Sequence, residues 1–450
     1  MVDTGEELRS LKEQFVSGHS GTSNMEVLWI CLVMPLLAFP ASLISSRLGQ
    51  RFVSHAVEFV LIMVPGLAVT TQVLSYTTWV SFSLLCFGIS AMLRLVQFNE
   101  RQSALAWNDL VKQRRRYLDT FRGVMLAYTC MAILAVDFNV FPRRFAKAET
   151  FGTGLMDIGP GMFVLASGMV SKPPAGQSIY RLMRRAGPLI LLGSIRLFSV
   201  SAADYQVHVG EYGVHWNFFF TLAAVETLSF LIPLRGLAAF VGAVGTLAAH
   251  QSALSLGGMM EYVHSSERGT SLIDLNKEGI FSMLGYWSLH LWGAAFGQGL
   301  LWTARKFQET TAGSKKTSSS MPRQASKALI TWTVCLLCTT LVLYGCALAL
   351  IGGFEPVSRR ACNATYIVWT LGLTSCVVSV CAIGDILGNH SLILHALSKN
   401  LLGVFLAANL ATGCVNMAVN TLETSNLMAR VILGVYMALI CAVGWFIGRL

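Results

Sequence analysis

Uninterrupted apolar runs recur from Val27 to the C-terminus, and each is close to the ~20 residues a helix needs to cross the hydrocarbon core of a bilayer. This pattern removes most folds at once. Peptide groups in hydrocarbon have no water to bond, so only helices and closed barrels span it. A barrel strand alternates apolar and polar residues, whereas these runs are continuous. The chain is therefore read as an all-α, polytopic integral membrane protein. Spans are predicted over 27–46, 52–72, 76–97, 122–141, 154–171, 188–203, 215–233, 236–253, 279–303, 328–351, 364–385, 400–420 and 428–448. That makes about thirteen transmembrane helices in a single membrane domain, 27–450. A polar segment, 1–26, precedes it. The first span has no small-residue cleavage pattern, which makes it a retained helix rather than a removed signal. Charged residues are 12% of the chain, about half the roughly 25% of soluble domains, so no large soluble module is expected. The one candidate linker is the Ser/Thr/Lys-rich stretch at about 309–327, predicted to be a flexible cytosolic loop.

With thirteen spans the connecting segments fall into two sets. One holds twenty-one Lys and Arg, the other nine. The positive-inside rule places the richer set in the cytosol. The N-terminus and the segment after the fourth helix then face the lumen. The net charge of +10 largely reflects this asymmetry. The basic clusters flank spans and lack a stacking platform, so no nucleic-acid partner is expected. Two N-glycosylation sequons, at Asn363 and Asn389, are separated by one helix and must lie on opposite faces. The topology puts Asn363 in the lumen as the candidate glycosylation site. All eleven cysteines except Cys362 fall within predicted spans, and Cys335-x-x-Cys338 has no second pair. Neither a disulfide framework nor a metal site is expected.

Asp137 closes the predicted fourth helix, in the stretch VDFNVFPRRFAKAE (Val136–Glu149). An acidic residue there is costly and is a functional candidate by default. Lys147 follows ten residues later, past Pro142 and the Arg143–Arg144 pair. The carboxylate, made more basic by desolvation, would take a proton from a hydroxyl group. The lysine would orient it and stabilise an oxyanion, the chain turning back at Pro142 so that the two meet. Arg143 and Arg144 suit phosphate oxygens, and equally suit anchoring of a helix end among anionic headgroups. The segment Asp204–Asn217 brings His208, His215, Trp216 and Asn217 to the same face. It is either an interfacial aromatic belt or a headgroup pocket, and each histidine rivals Asp137 as the base. Glu58, Arg94, Asp157, Arg196 and Glu226 fall in or near spans, and Arg196 and Glu226, on successive helices, are expected partners. The motifs of serine hydrolases, zincins and ATPases are missing. Acyl transfer from a thioester needs none of them.

Four blocks carry a family resemblance: FVSGHSGTS (Phe15–Ser23), VDFNVFPRRFAKAETFG (Val136–Gly152), EYGVHWNFFFTLA (Glu211–Ala223) and ANLATGCVNMAVNT (Ala408–Thr421). In wording and order they resemble the glycosylphosphatidylinositol (GPI) inositol acyltransferases, and together they span nearly the whole chain. The resemblance implies an acyltransferase of the endoplasmic reticulum membrane. It would move a fatty acyl group, palmitoyl in the family, from acyl-CoA to the inositol 2-hydroxyl of glucosaminyl-phosphatidylinositol. That is an early step of GPI-anchor biosynthesis. The implied partners are acyl-CoA as co-substrate, the acceptor lipid and membrane lipids, with no permanently bound cofactor and no metal. Transfer would be direct, since no activated Ser or Cys stands out. Asp137 and Lys147 become the catalytic pair, with Asn139, Arg143, Arg144, His208, His215, Trp216 and Asn217 around the substrate. The Gly18-His19 spelling departs from the family pattern and leaves the role of the first block open. The alternative class is a secondary transporter or flippase of an anionic lipid or small molecule, which would use similar intramembrane charges without converting its substrate.

Overall fold

The computed structural model describes residues 15, 17–97, 106, 116–171, 178–202, 209–312, 321–388 and 390–448. Among them the only β pairing is an isolated parallel bridge between Gly21 and Thr153. The helices are α1 (Asn24–Ser45), α2 (Arg51–Thr70), α3 (Tyr76–Gln97), α4 (Arg116–Ala135), α5 (Ile158–Val170), α6 (Ile179–Ala202), α7 (Val209–Tyr212), α8 (Phe218–Leu231), α9 (Leu237–Leu256), α10 (Met259–His264), α11 (Leu272–Leu275), α12 (Lys277–Ala312), α13 (Met321–Gly353), α14 (Ala364–Ile386), α15 (Leu392–Lys399), α16 (Leu401–Ala418) and α17 (Asn426–Ile447). The chain is a multi-pass α-helical membrane protein. Each of the thirteen predicted spans coincides with a helix, but among the described residues length and apolarity single out nine: α1 to α4, α9, α13, α14, α16 and α17. Helices α5 and α8 are apolar but shorter. Helices α6 and α12 are long and more polar, α6 carrying Arg181, Arg184, Arg185 and Arg196.

One boundary difference bears on function. The fourth span, predicted over 122–141, is a helix over Arg116–Ala135. Its ladder tightens at the end: Asp137 N–H bonds Leu134 O at 3.3 Å and Phe138 N–H bonds Ala135 O at 3.0 Å. Asp137 and Asn139 favour turns over helix interiors, and Pro142 cannot continue a helix. Asp137 therefore stands in a turn beyond the last helical residue.

The chain divides into two compact units. The first comprises Thr22–Ala146, Leu301–Val342 and Leu373–Leu450; it contains Asp137 and is called the Asp137 unit. Its buried centre is α1 and α4. Ser23 caps α1, its hydroxyl accepting from Glu26 N–H at 3.2 Å. The Tyr128 hydroxyl of α4 donates to Ile30 O of α1 at 2.5 Å. Tyr436 of α17 lies with its hydroxyl 3.1 Å from Cys130 O and 3.3 Å from Ala408 O, which ties α17 to α4 and α16. Within α2 a π-helical stretch, Phe59–Met63, precedes Pro65, which has no N–H to give the preceding turn. Just before it, the wholly buried Glu58 accepts from Ser45 Oγ at 2.7 Å, Ser391 Oγ at 2.7 Å and Ile393 N–H at 2.9 Å. Three donors offset the desolvation of that carboxylate. Leu93, Leu410 and Met417 are exposed on α3 and α16, as lipid-facing side chains are.

The second unit, here the Lys147 unit, comprises Met1–Gly21, Lys147–Leu300 and Leu343–Gly372. Small residues bring α5 and α12 together. A Cβ at Gly293 would lie 2.2 Å from Leu165 O, and one at Gly297 would lie 2.5 Å from Met169 O. This spacing of two glycines four apart permits close helix approach in a membrane. The first sequence block braces the segment that follows Lys147. Glu149 N–H bonds His19 O at 2.9 Å, and Gly21 crosses Thr153 so closely that a Cβ would meet its backbone at 2.6 Å.

Candidate functional site

In the Asp137 unit, the turn after α4 is held from within and from α16. Arg143 folds back over it. Its guanidinium donates to Val136 O at 2.9 Å, to Phe138 O at 3.0 Å and to Phe141 O at 2.7 Å. These carbonyls all lie in the turn beyond the last helical residue. Arg143 therefore serves as a clamp on the turn. Burial pushes its guanidinium down to about 10, and the Asp137 carboxylate opposes that shift. Asp137 is half-buried, and its Oδ2 accepts from Asn416 Nδ2 of α16 at 2.8 Å. Two residues on, Asn139 Nδ2 donates to Leu422 O at 2.5 Å, so the chain after α16 covers the same turn.

Arg144 points elsewhere. Its Nε and one terminal nitrogen donate to the two oxygens of Glu26 at 3.0 and 2.9 Å, a bidentate fork, and Thr22 Oγ1 donates to the same carboxylate. The hydrogen bonds of Glu26 hold its guanidinium above the ordinary range against a smaller effect of burial. Both arginines expected at a phosphate are thus engaged by the protein's own acceptors, and their forks shape the end of this unit.

The same end leaves polar atoms without partners. Asn416 Oδ1, Thr421 Oγ1 and Asn24 Oδ1 are buried and make no hydrogen bond among the described residues. Such atoms are uncommon in folded proteins and each costs about 1–3 kcal/mol when left unmet.

The Lys147 unit holds a chain of alternating charge. Lys147 Nζ donates to Glu211 Oε1 at 2.7 Å and Oε2 at 2.8 Å. Arg359 reaches Glu211 at 3.3 Å and donates through Nε to Asp157 Oδ1 at 2.8 Å. Asp157 is wholly buried, and its Oδ2 accepts from Ala148 N–H at 3.0 Å and Gly154 N–H at 2.8 Å. Burial would raise the Glu211 carboxyl, but the charges of Lys147 and Arg359 outweigh it and bring it down to about 2. An ammonium carries three N–H groups. Glu211 takes two of them, and the lysine side chain keeps 37% exposure. Beside this chain, Arg360 and Arg268 both donate to the buried Glu278 at 3.0 and 2.6 Å. His264 lies 3.1 Å from Ser358 Oγ, and burial with the Arg360 charge lowers it to about 4.

The block around His215 is built for structure. The His215 ring is exposed and makes no hydrogen bond among the described residues, while its N–H bonds Asn276 Oδ1 at 2.7 Å. Trp216 Nε1 donates to Thr221 Oγ1 at 2.9 Å and the indole lies against Gly279. Asn217 caps α8 through Phe219 N–H at 3.1 Å and ties it to α6 through Gly193 O at 3.0 Å. His208 lies outside the described residues. The pairing expected of Arg196 with Glu226 is corrected: Glu226 takes Arg185 at 3.7 Å, because α6 begins nine residues before the predicted span and brings Arg185 onto the helix. Arg196 instead adds its charge to those that lower Glu211.

Asn363, the candidate glycosylation site, lies inside the fold. Asn363 is wholly buried, its Nδ2 donating to Glu355 Oε2 at 3.0 Å and Pro356 O at 2.9 Å. Its Oδ1 accepts from Ser358 N–H and Tyr366 N–H, each at 3.0 Å. The folded chain leaves no room or free amide for a glycan. Asn389, of the other sequon, lies outside the described residues.

The family profile GWT1 matches residues 8–447. The chain belongs to the GWT1 family. It is 34% identical over 504 aligned residues to GPI-anchored wall transfer protein 1 of Aspergillus oryzae, covering 98% of each chain. To the protein of the same name in Candida albicans it is 33% identical, covering 95% of this chain and 94% of that one. An uncharacterized Arabidopsis thaliana protein is 40% identical over 329 residues, 72% of this chain and 71% of that one. This GWT1 family member thus matches these two fungal relatives over nearly their whole length.

Four participants escaped the sequence reading. Asn416 lay in a recognised block but carries no charge to mark it. Arg359 and Arg360 entered only as topology charges. Glu211 stood among histidines and aromatics that drew attention first. Nothing local could have found these partners, since Asn416 is 279 residues from Asp137 and Arg359 is 202 from Asp157.

Proposed function

We propose that the chain is a GPI-biosynthetic inositol acyltransferase. It transfers a fatty acyl group, palmitoyl for choice, from acyl-CoA to the inositol 2-hydroxyl of glucosaminyl-phosphatidylinositol in the endoplasmic reticulum membrane, with its N-terminus and the Asp137 turn lumenal. The observation that carries the reading is the Asp137 carboxylate. It is half-buried at the end of an apolar helix, bonded by Asn416 and set beside the Arg143 charge. Family membership and relatives named for GPI-anchored wall transfer support the lipid substrate.

In this mechanism Asp137 accepts the proton of the inositol hydroxyl. The oxygen lone pair forms the new O–C bond at the thioester carbonyl, and the tetrahedral oxyanion collapses with cleavage of C–S. The departing CoA sulfur takes the proton back from Asp137, leaving ester and free CoA with the carboxylate restored. Lys147 is proposed as a second residue on which turnover depends. Glu211 fixes its ammonium, and its third N–H is the one available to an anion.

The test is turnover of labelled palmitoyl-CoA and short-chain glucosaminyl-phosphatidylinositol by purified protein in detergent, beside Asp137→Asn. Acylated lipid from the wild type alone supports enzyme and base together. Product from both moves the base away from Asp137. No product from folded wild type returns the transporter reading, because a transporter binds its substrate without converting it.

A further inference from the structure

We infer that Asn416 is a second acceptor-reading residue of the proposed reaction. One arm of its amide positions Asp137, and the other receives a hydroxyl of the polyol next to the one that reacts. The inference rests on the acyltransferase reading and deepens it.

An ionised carboxylate can only accept hydrogen bonds. The 2.8 Å contact to Asp137 Oδ2 therefore fixes the amide with its nitrogen toward Asp137. The oxygen must then point away from the carboxylate. That oxygen is buried and has no partner among the described residues. The fold has thus fixed an acceptor in place and provided nothing to fill it. On the acyltransferase reading, a donor that arrives with the substrate completes it. A hydroxyl suits, because it carries the O–H that an amide oxygen accepts.

A second unmet atom points the same way. Thr421 is 1% exposed and its Oγ1 is unpartnered. It directly precedes Leu422, whose carbonyl Asn139 grips at 2.5 Å, so it belongs to the chain that covers the Asp137 turn. One ionised acceptor flanked by neutral, unfilled polar atoms matches a ring with several hydroxyls. It would match a single phosphate poorly, the more so because Arg143 and Arg144 are already engaged. In this arrangement Asp137 deprotonates one hydroxyl while Asn416 Oδ1 accepts from its neighbour, which selects the position acylated.

The experiment is steady-state kinetics on the full-length protein, varying acceptor and palmitoyl-CoA in turn, for wild type, Asn416→Ala, Asn416→Asp and Asp137→Asn. Asn416→Ala is expected to raise KM for the acceptor roughly tenfold and to lower kcat, with KM for palmitoyl-CoA unchanged. Asn416→Asp keeps the shape but opposes Asp137 with a like charge, and is expected to lower kcat at least as far. The melting temperature of each variant, expected near that of the wild type, is the check on folding. Equal changes in both KM values, or none in either, with Asp137→Asn inactive, would overturn the role of Asn416 while leaving the acyltransferase reading intact. An inactive wild type would instead remove the reading on which it rests.

Discussion

The charge chain that starts at Lys147 and the turn around Asp137 treat buried polarity in opposite ways. From Lys147 through Glu211 and Arg359 to Asp157 the sign of charge alternates at every step. At the Asp137 end, the amide oxygen of Asn416 and the hydroxyl of Thr421 are left unanswered. A fold gains rigidity from the first arrangement and loses stability to the second. Closed polar networks make a frame; open ones mark where something from outside completes the bonding.

The contrast is sharpest at Asp137. If the open end holds the chemistry, Asp137→Asn should reduce turnover by about 10²–10⁴-fold and leave the melting temperature near that of the wild type. A variant that turns over normally would reverse the assignment of frame and site. Arg359→Ala should act the other way. It strips the shared partner from two buried carboxylates and should cost about 3–5 kcal/mol of stability, read as an early thermal transition. An unchanged melt would mean the charge chain is no frame at all. Lys147→Ala probes the boundary between the roles. Its side chain is partly exposed, so loss of the pair should cost under about 1 kcal/mol of stability. Turnover should nevertheless fall tenfold or more, about 1.4 kcal/mol of barrier. Loss of stability with normal turnover would return Lys147 to the frame.

The smallest effect is one of pH. The Glu211 carboxyl is brought from its ordinary 4.5 down to about 2. The folded state therefore favours its ionised form, and that stability is complete above pH 4.5 and lost as pH falls toward about 2. The gap in melting temperature between wild type and Glu211→Gln should be widest above pH 4.5 and should narrow below it. A gap that is constant from pH 6 to 3 would show that the carboxylate's charge contributes nothing.

Much of this architecture was legible from residues alone, and the limits have physical causes. Apolar length located α1 to within three residues at its start, because hydrocarbon thickness sets span length. It overran α4 by six residues because Val140 and Phe141 are apolar but belong to the turn that Arg143 clamps. It under-read α6, whose arginines lowered the hydropathy of a helix that continues regardless. At the site, Asp137 and Lys147 stood out as charges beside apolar runs. Their partners did not. Asn416 is neutral, and Glu211 becomes informative only when a chain fold of 64 residues brings it to Lys147.

Asn363 carries a consequence of another kind. Its sequon is chemically intact, yet the side-chain amide disappears into the fold with both arms bonded. A sugar could be attached only while the chain is still open, and attachment would then prevent closure. Sugar at this position would act as a timestamp, recording molecules that lingered unfolded beside the modifying enzyme. The mature protein would be defined by having escaped it.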